Sequence, residues 1–247
     1  MNDGPRHPWE QSRARFFVDL ARRTLGQLHG KPARVLDVGA GDAYLAEELR
    51  RAQPDARITC WDTSYDDAIV ARLATRTREI TFTRDKPEGR FDLVLMLDVV
   101  EHVADDVGFV RGIVEGCLAD GGAVIVSVPA WQALFSAHDE LLLHHRRYAP
   151  DACDRVLRAA GLAVVDHGGL FHSLLAPRLA SVVVEKAKAA LGRSTQIASA
   201  AASWRHGAIV TGAVLGALRA DNAVSRAAAR LGVALPGLSY WALARRG

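Results

Sequence analysis

The sequence has 247 residues, of which 49% are hydrophobic, and a formal net charge of +3. A chain of this length and composition can bury one large α/β core, and its weak, dispersed positive charge argues against a nucleic-acid partner. The three cysteines, Cys60, Cys117 and Cys153, lie far apart without a Cys-x-x-Cys pair, so we expect reduced, buried thiols.

Two further features bear on location. Residues 1–17 carry charges with no apolar segment behind them, so no secretory signal is expected and a cytoplasmic location is predicted by default. The longest uncharged apolar stretch, residues 206–218, is shorter than the roughly 20 residues that a membrane-spanning helix needs. We therefore expect a soluble protein, for which peripheral contact with a membrane stays open.

Short apolar segments alternate with helical patterns in the first two-thirds of the chain. Near-continuous apolar segments separated by amphipathic helices are typical of a parallel sheet covered on both faces. The sequence therefore predicts a doubly wound α/β architecture. The predicted strands are residues 33–39, 56–62, 80–83, 91–97 and 122–128.

The pattern changes after Pro129. A polar, aromatic and histidine-rich loop extends to Tyr148, and a helix is predicted to begin at Pro150–Asp151 and to end before Gly161. Residues 162–172 form a sixth predicted strand.

The remainder is a long helical segment followed by one more strand. Residues 173–236 are rich in alanine and helical in period, with a flexible link predicted at residues 192–196. The last predicted strand, residues 238–245, follows a Pro-Gly turn.

The segment VLDVGAGDAY, residues 35–44, leads from a strand that contains Asp37 through Gly39 and Gly41 into a helix. This arrangement places backbone N–H groups and the positive end of the helix at the carboxyl edge of the sheet, where nucleotide-type cofactors bind. The dinucleotide fingerprint needs a third small residue where Tyr44 stands, which argues against NAD.

The chain resembles the class I S-adenosylmethionine-dependent methyltransferases. V-L-D-x-G-x-G resembles their first motif, with Ala43 in place of the usual third glycine. CWD, ending at Asp62, FDLVLMLDVVEHVADD, LADGGAVIVSVP and GLSYWALAR resemble the second, fourth, fifth and closing strands of the family. The resemblance implies a Rossmann-like sheet of seven strands whose last strand is antiparallel, with a helical insertion before it.

The resemblance also implies the cofactor S-adenosylmethionine and its product S-adenosylhomocysteine. Asp62 would hold both ribose hydroxyls, because a carboxylate accepts two hydrogen bonds at once. Asp85 is preferred to Arg84 for the exocyclic amine of adenine. The predicted cofactor contacts are Asp37, Gly39, Gly41, Asp62, Asp85 and Asp98.

The loop after the fifth strand is the predicted acceptor side. His138 and His144 are candidate general bases, since a histidine can accept a proton near neutral pH. The predicted acceptor contacts are Trp131, Arg146, Arg147 and Tyr148, of which the arginines suit a phosphate or carboxylate. The alternative is that Asp139 pairs with one arginine and that the histidines only fix the loop.

The DVVEH segment offers a metal hypothesis. Some quinone and RNA-end methyltransferases bind a divalent metal at this place, where this chain has Asp98, Glu101 and His102, and a histidine further along the chain could join these ligands. Asp-x-x-Glu-His is also widespread in methyltransferases without metal, so we expect no metal here and an otherwise structural role for Glu101 and His102.

We predict three regions. Residues 1–30 form a helical lid, residues 31–172 and 237–247 form the cofactor-binding core, and residues 173–236 form an insertion that covers the substrate or contacts a second subunit in a homodimer. The expected reaction is methyl transfer, preferably to oxygen, on a small apolar, lipid-like or polyketide-like acceptor. The alternative is a protein that binds the cofactor without methyl transfer, such as a cyclase-like enzyme or a partner of another enzyme.

Overall fold

The structure is a computed structural model that describes residues 6–27, 32–191, 204 and 206–247. The strands are β1 Arg34–Val38, β2 Arg57–Trp61, β3 Ile80–Thr83, β4 Phe91–Leu97, β5 Leu118–Pro129, β6 Leu162–Leu170 and β7 Ser239–Arg246. The helices are α1 Pro8–Leu25, α2 Tyr44–Ala52, α3 Asp67–Arg76, α4 Asp106–Cys117, α5 Ala137–Leu141, α6 Pro150–Ala159, α7 Leu175–Ala190 and α8 Ala208–Arg230.

The seven strands form one sheet in the order β3-β2-β1-β4-β5-β7-β6. β1 to β5 pair in parallel, whereas β7 is antiparallel to both β5 and β6. The predicted sheet with an antiparallel last strand is therefore confirmed. The carboxyl ends of β1, β2, β4 and β5 meet at one edge, which we call the carboxyl edge, and β7 starts there because Ser239 pairs with Pro129.

Local signals set most helix starts. Asp66 accepts a hydrogen bond from the Ile69 amide at 2.7 Å and so caps α3. Asp105 caps α4 in the same way through the Gly108 amide at 2.9 Å. Pro150 is the first residue of α6, one position after the cap at Ala149, where a proline loses no helical hydrogen bond.

Two predicted strand boundaries differ from the structure by more than one residue, and a third prediction is untested. β5 begins at Leu118, four residues before the predicted start, and its pairing with β4 shifts register between Phe91 and Leu93. β6 ends at Leu170, because a positive φ at Phe171 turns the backbone out of the sheet. The predicted link at residues 192–196 lies outside the described residues.

Two hydrophobic clusters cover the two faces of the sheet. α1 and α2 pack on one face, where Phe17 and Trp241 are almost fully buried. α4 and α6 pack on the other, around Met96 and Leu157. The three cysteines are buried and unpaired, as predicted.

The helical segment before β7 is anchored to the core at its two ends. The Leu238 amide donates to the Leu170 carbonyl at 2.7 Å, so the segment leaves and rejoins the sheet at adjacent positions. α8 is tied to α1 by the Asn222 side-chain amide, which donates to the Ser12 hydroxyl at 3.2 Å. No helix of the described residues has the length and apolar character required to cross a membrane.

We predict that Gly169→Ala destabilises the protein by about 1–3 kcal/mol, because the added methyl group would overlap the Leu235 carbonyl oxygen and the Gly237 amide. The matched control is Gly216→Ala on α8, where the methyl group meets no atom within 4 Å. That change should instead stabilise the protein by about 0.4–1 kcal/mol. Urea unfolding of both variants measures the difference, and equal stabilities would contradict the packing described here.

Candidate active site

A tight turn follows β1 at the carboxyl edge. Gly39 and Gly41 have φ angles of +67° and +54°, and the next helix begins after Ala43 at +63°. A Cβ on Gly39 would lie 2.6 Å from the Val99 Cγ2 atom, so only glycine lets the turn approach the end of β4. The turn therefore presents backbone rather than side chains to a ligand.

Asp62 lies beside this turn, just after β2. Its Oδ2 atom accepts the Gly41 amide at 2.8 Å, and its Oδ1 atom accepts the Ser64 amide and hydroxyl at 2.9 and 2.6 Å. The structure thus brings Gly39, Gly41 and Asp62 together. Each carboxylate oxygen has more than one lone pair, so Asp62 can accept further hydrogen bonds from a ligand diol.

Asp37 is buried behind the turn. Burial raises its pKa to about 7, the nearby Asp62 adds to the rise, and Arg13 opposes it. A cleft of about 330 Å³ opens in front of it. The cleft is lined by Arg6, Trp9, Glu10, Arg13, Ala14, Asp37, Gly39, Ala40, Asp42, Tyr44, Leu45 and Leu97.

Arg13 on α1 is a site residue that the sequence analysis missed. Its guanidinium pairs with the Asp98 carboxylate at 2.8 Å, and its Nε atom is buried without a hydrogen-bond partner among the described residues. Asp98 itself has a φ of +58°, a conformation that costs energy outside glycine. The only signal in the sequence was an arginine four positions after Trp9 on the predicted lid helix.

Asp85, the predicted contact of the adenine amine, lies two residues after the end of β3. Its side chain is exposed, and its amide and carbonyl bond the Thr83 hydroxyl. The neighbouring Arg84 offers only its carbonyl, which accepts the Trp61 indole at 3.0 Å. The contact of Asp85 with adenine remains a prediction.

Asp139 is the centre of the loop between β5 and α6. Its carboxylate is fully buried and accepts the Arg147 Nε–H at 2.7 Å and a ring N–H of His144 at 3.0 Å. Burial alone would raise the pKa of Asp139, but the hydrogen bonds from His144 and Arg147 outweigh it and hold the pKa well below its usual range. An ionised carboxylate can only accept, so Nδ1 of His144 carries the proton in this hydrogen bond and Nε2 is the nitrogen that points away from Asp139.

Both predicted acceptor arginines are engaged in ion pairs. Arg147 is buried on Asp139, which is the pairing foreseen as the alternative. Arg146 pairs with Asp106 at 2.9 Å, and the Tyr148 hydroxyl donates to the same carboxylate at 2.7 Å. Tyr148 is buried in the hydrophobic cluster, a place that favours a structural role over the predicted contact with an acceptor.

The two remaining loop residues differ in their surroundings. Trp131 has a φ of +66°, and its indole donates to the Gly237 carbonyl at 2.8 Å, which fixes the ring against the start of β7. His138 is half-buried, and no hydrogen bond to its ring is found within the described ranges. Burial and the nearby Arg178 lower the pKa of His138. His144, in contrast, is held by Asp139.

Glu101, His102 and His144 form a compact cluster whose ligand atoms all lie within 4.8 Å of one another. Glu101 is fully buried, and neither carboxylate oxygen has a hydrogen-bond partner among the described residues. Burial, with Asp98 nearby, raises the pKa of Glu101 well above its usual range. Burial and the neighbouring His144 lower the pKa of His102, which favours a neutral imidazole at this residue near neutral pH.

This donor set fits a divalent cation better than the set proposed from sequence. One carboxylate and two imidazoles are typical ligands of zinc and of other first-row transition metals, and a buried carboxylate without a partner is costly unless it is protonated or bound. Asp98, which the sequence hypothesis included, is turned instead toward Arg13.

The comparisons with known proteins agree with this geometry. A family model described as a methyltransferase domain matches residues 9–167. The ubiquinone biosynthesis O-methyltransferase of Rhizobium leguminosarum is 27% identical over 197 residues, which cover 69% of this chain and 77% of that protein.

Solved structures share the fold. A putative sarcosine dimethylglycine methyltransferase from Galdieria sulphuraria has a TM-score of 0.58 at 14% identity, over 95% of this chain and 84% of that chain. The [4+2]-cyclase SpnF has a TM-score of 0.54 at 20% identity, over 99% of this chain and 85% of that chain. At these identities the likeness shows the fold alone.

The family match covers well over half of the chain, and the sheet order and glycine turn are those that the motifs predicted. The chain therefore belongs to the methyltransferase domain family and is a class I S-adenosylmethionine-dependent methyltransferase.

Proposed function

We propose that the enzyme transfers a methyl group from S-adenosylmethionine to a hydroxyl oxygen of a small, apolar acceptor. The observation that carries this proposal is the hydrogen bond between Asp139 and His144. It directs the second imidazole nitrogen of His144, a candidate base, away from Asp139, on the loop that follows β5 at the carboxyl edge. The relative from Rhizobium leguminosarum is named as an O-methyltransferase, which supports oxygen as the acceptor atom.

The proposed step is an in-line displacement. The acceptor oxygen attacks the methyl carbon, the carbon–sulfur bond breaks, and its electron pair stays on sulfur to give S-adenosylhomocysteine. The proton of the acceptor hydroxyl passes to Nε2 of His144. The resulting imidazolium is stabilised by the Asp139 carboxylate, in the way that a buried acid supports a histidine base.

We place the cofactor in the cleft and against the neighbouring Asp62. Asp62 would hold the ribose hydroxyls, and the turn at Gly39 and Gly41 would lie against the methionine portion. We add Arg13 to this set, because its buried guanidinium lines the cleft and would pair with the cofactor carboxylate. The lid role of α1 is proposed on the same ground.

A second cavity supports an apolar acceptor. It has a volume of about 220 Å³ and lies beside Trp131 at the ends of β5 and β6. Its lining is Ala130, Trp131, Pro150, Gly168, Gly169, Ala234, Leu235, Pro236, Gly237, Ser239 and Tyr240. Of its two hydroxyl groups, that of Tyr240 is already bonded to Asp154 at 2.6 Å, so the cavity favours apolar ligands.

The cluster of Glu101, His102 and His144 supports a second candidate role for the same part of the site, which is to bind a divalent cation. A divalent cation bound by these three side chains would polarise an acceptor hydroxyl and lower its pKa. Asp139 would then orient His144 as a ligand rather than as a base, since a carboxylate that holds the far nitrogen fixes the tautomer in both cases.

We predict that Asp62→Ala weakens cofactor binding by about 1–3 kcal/mol, because the ribose hydroxyls lose a charge-assisted partner. The matched control is Asp66→Ala, which removes the cap of α3 nearby and should reduce stability without reducing affinity. Calorimetric titration with S-adenosylhomocysteine measures both. Unchanged affinity in the Asp62 variant would remove this residue from the cofactor site.

We predict that His144→Ala lowers single-turnover methyl transfer by roughly 10²–10⁴-fold while cofactor affinity stays nearly constant. His145→Ala is the matched control, because this neighbouring ring is exposed. His138→Ala should have a smaller effect, since its ring has no orienting carboxylate. Equal rates in the His144 and His145 variants would contradict a role for His144 in the reaction.

A chelator separates the two roles of His144. If His144 acts as the base alone, dialysis of the wild-type enzyme against EDTA leaves the rate unchanged. If the cluster binds a cation, the rate falls and returns on addition of a divalent metal, and Glu101→Gln prevents this recovery.

We predict that the affinity for S-adenosylmethionine rises with pH through about 7. Because folding raises the pKa of Asp37, a proton on Asp37 stabilises the unliganded protein at low pH, and this contribution is lost as the pH passes about 7. The cationic sulfonium favours the ionised form, so affinity should fall up to about tenfold per pH unit below the pKa. Calorimetry from pH 5.5 to 8.5 measures this slope. The same slope in Asp37→Asn would show that another group is responsible.

A further inference from the structure

The side of α7 that faces away from the protein is almost entirely apolar. Leu179, Val183 and Val184 are 50%, 57% and 51% exposed, whereas Val182 on the inner side is buried. Residues three or four positions apart lie on the same face of a helix, so other exposed side chains of α7 share this face with Leu179, Val183 and Val184. We call this surface the α7 outer face, and it consists of Leu179, Ala180, Val183, Val184, Ala187 and Leu191.

The charges around the α7 outer face are positive. Lys186 and Lys188 are exposed and lie on its two borders. The whole insertion, residues 173–236, contains eight lysines and arginines but only two acidic residues, a net charge of +6. Since the complete chain has a net charge of +3, the remaining residues carry −3. Positive charge is therefore concentrated in the segment that exposes the apolar face.

The inner side of α7 contacts the catalytic loop. The Arg178 guanidinium donates to the Ser136 hydroxyl at 2.6 Å and lies 3.7 Å from the Asp139 carboxylate. The Glu185 carboxylate accepts the Ala137 amide at 3.0 Å. The last residue of α5, Leu141, and the two residues that follow the helix, Leu142 and Leu143, are exposed leucines. The helix that exposes the apolar face is thus bound to the loop that holds His144.

We propose that the α7 outer face docks on the surface of an anionic lipid bilayer, with the helix lying in the plane of the interface. Apolar side chains enter the acyl boundary while flanking lysines extend their ammonium groups to lipid phosphates, as in other interfacial helices. A symmetric dimer through this face is disfavoured, because it would bring two segments of net charge +6 together.

Docking has a consequence for the site. A bilayer bound at the outer side of α7 is separated from the loop from Trp131 to Tyr148 by about the width of one helix, so an apolar acceptor dissolved in the lipid has a short path to the site. This consequence rests on the proposed function. The docking itself does not, because it requires neither cofactor nor methyl transfer.

Flotation with extruded vesicles tests the docking. The wild-type chain should bind vesicles of phosphatidylcholine with 30% phosphatidylglycerol in 0.1 M NaCl, and bind pure phosphatidylcholine vesicles at least tenfold more weakly. Binding should fall in 0.5 M NaCl, because salt screens charges at a surface. Leu179→Asn/Val183→Asn should lower the partition coefficient by about tenfold or more. Lys188→Gln should lower it about fivefold.

The matched control is Val165→Asn on β6, a valine of similar exposure outside the insertion, which should bind vesicles like the wild type. Melting temperatures show whether each variant is folded. Equal flotation of the wild type and the Leu179/Val183 double variant would overturn the proposal. The proposal would also be overturned if the wild type failed to bind vesicles and instead formed a dimer in analytical ultracentrifugation, and the double variant abolished this dimer. Methyl-transfer assays in detergent report separately on the proposed function.

Discussion

The fully buried carboxylate of Asp139 is the interaction on which the acceptor side of this enzyme depends. A buried charge is costly unless every lone pair finds a donor. Here the donors come from Ser136, His144, Arg147 and, at longer range, Arg178 of α7. One side chain therefore fixes the loop, the tautomer of the candidate base and the position of the insertion. Without Asp139, the guanidinium of Arg147 would be a buried positive charge with no ion-pair partner.

The cofactor side depends on backbone geometry instead. Gly39 and Gly41 need left-handed conformations, and three residues with side chains, Ala43, Asp98 and Trp131, also have a positive φ near the carboxyl edge. Such conformations persist only where the surrounding structure imposes them, and they concentrate at functional sites. The strain thus coincides with the edge where the cleft opens, whereas the other end of the sheet carries the charged turns between elements.

The fold could be predicted from the sequence because its signals are local. Apolar segments bounded by glycine, proline and capping acids predicted the strands, and the family resemblance implied the antiparallel ending. The glycine motif supplied Asp37, Gly39 and Gly41, and the end of the second strand supplied Asp62. Contacts between distant segments could not be predicted. Arg13 forms an ion pair with Asp98 across 85 positions of sequence. The sequence allowed a downstream histidine beside Glu101 and His102, but not which one, nor that Asp98 would turn away from them. The pairing of Asp139 with an arginine was foreseen as the alternative, whereas the ion pair of Arg146 with Asp106 joins two distant segments and was not.

The insertion leaves and rejoins the sheet at adjacent positions, and this has a consequence for the evolution of the enzyme. Leu170 and Leu238 are hydrogen-bonded neighbours, although 67 residues separate them along the chain. A segment whose two ends already touch can lengthen or shorten while the pairing of β6 with β7 survives, provided that a helix still covers β6 as α8 does. Selection can therefore exchange the part of the molecule that meets acceptors and surroundings independently of the part that holds the methyl donor. Related enzymes with the same core are free to diverge in what they methylate, and a chimaera that carries another enzyme's insertion between these two leucines preserves the register of β6 and β7.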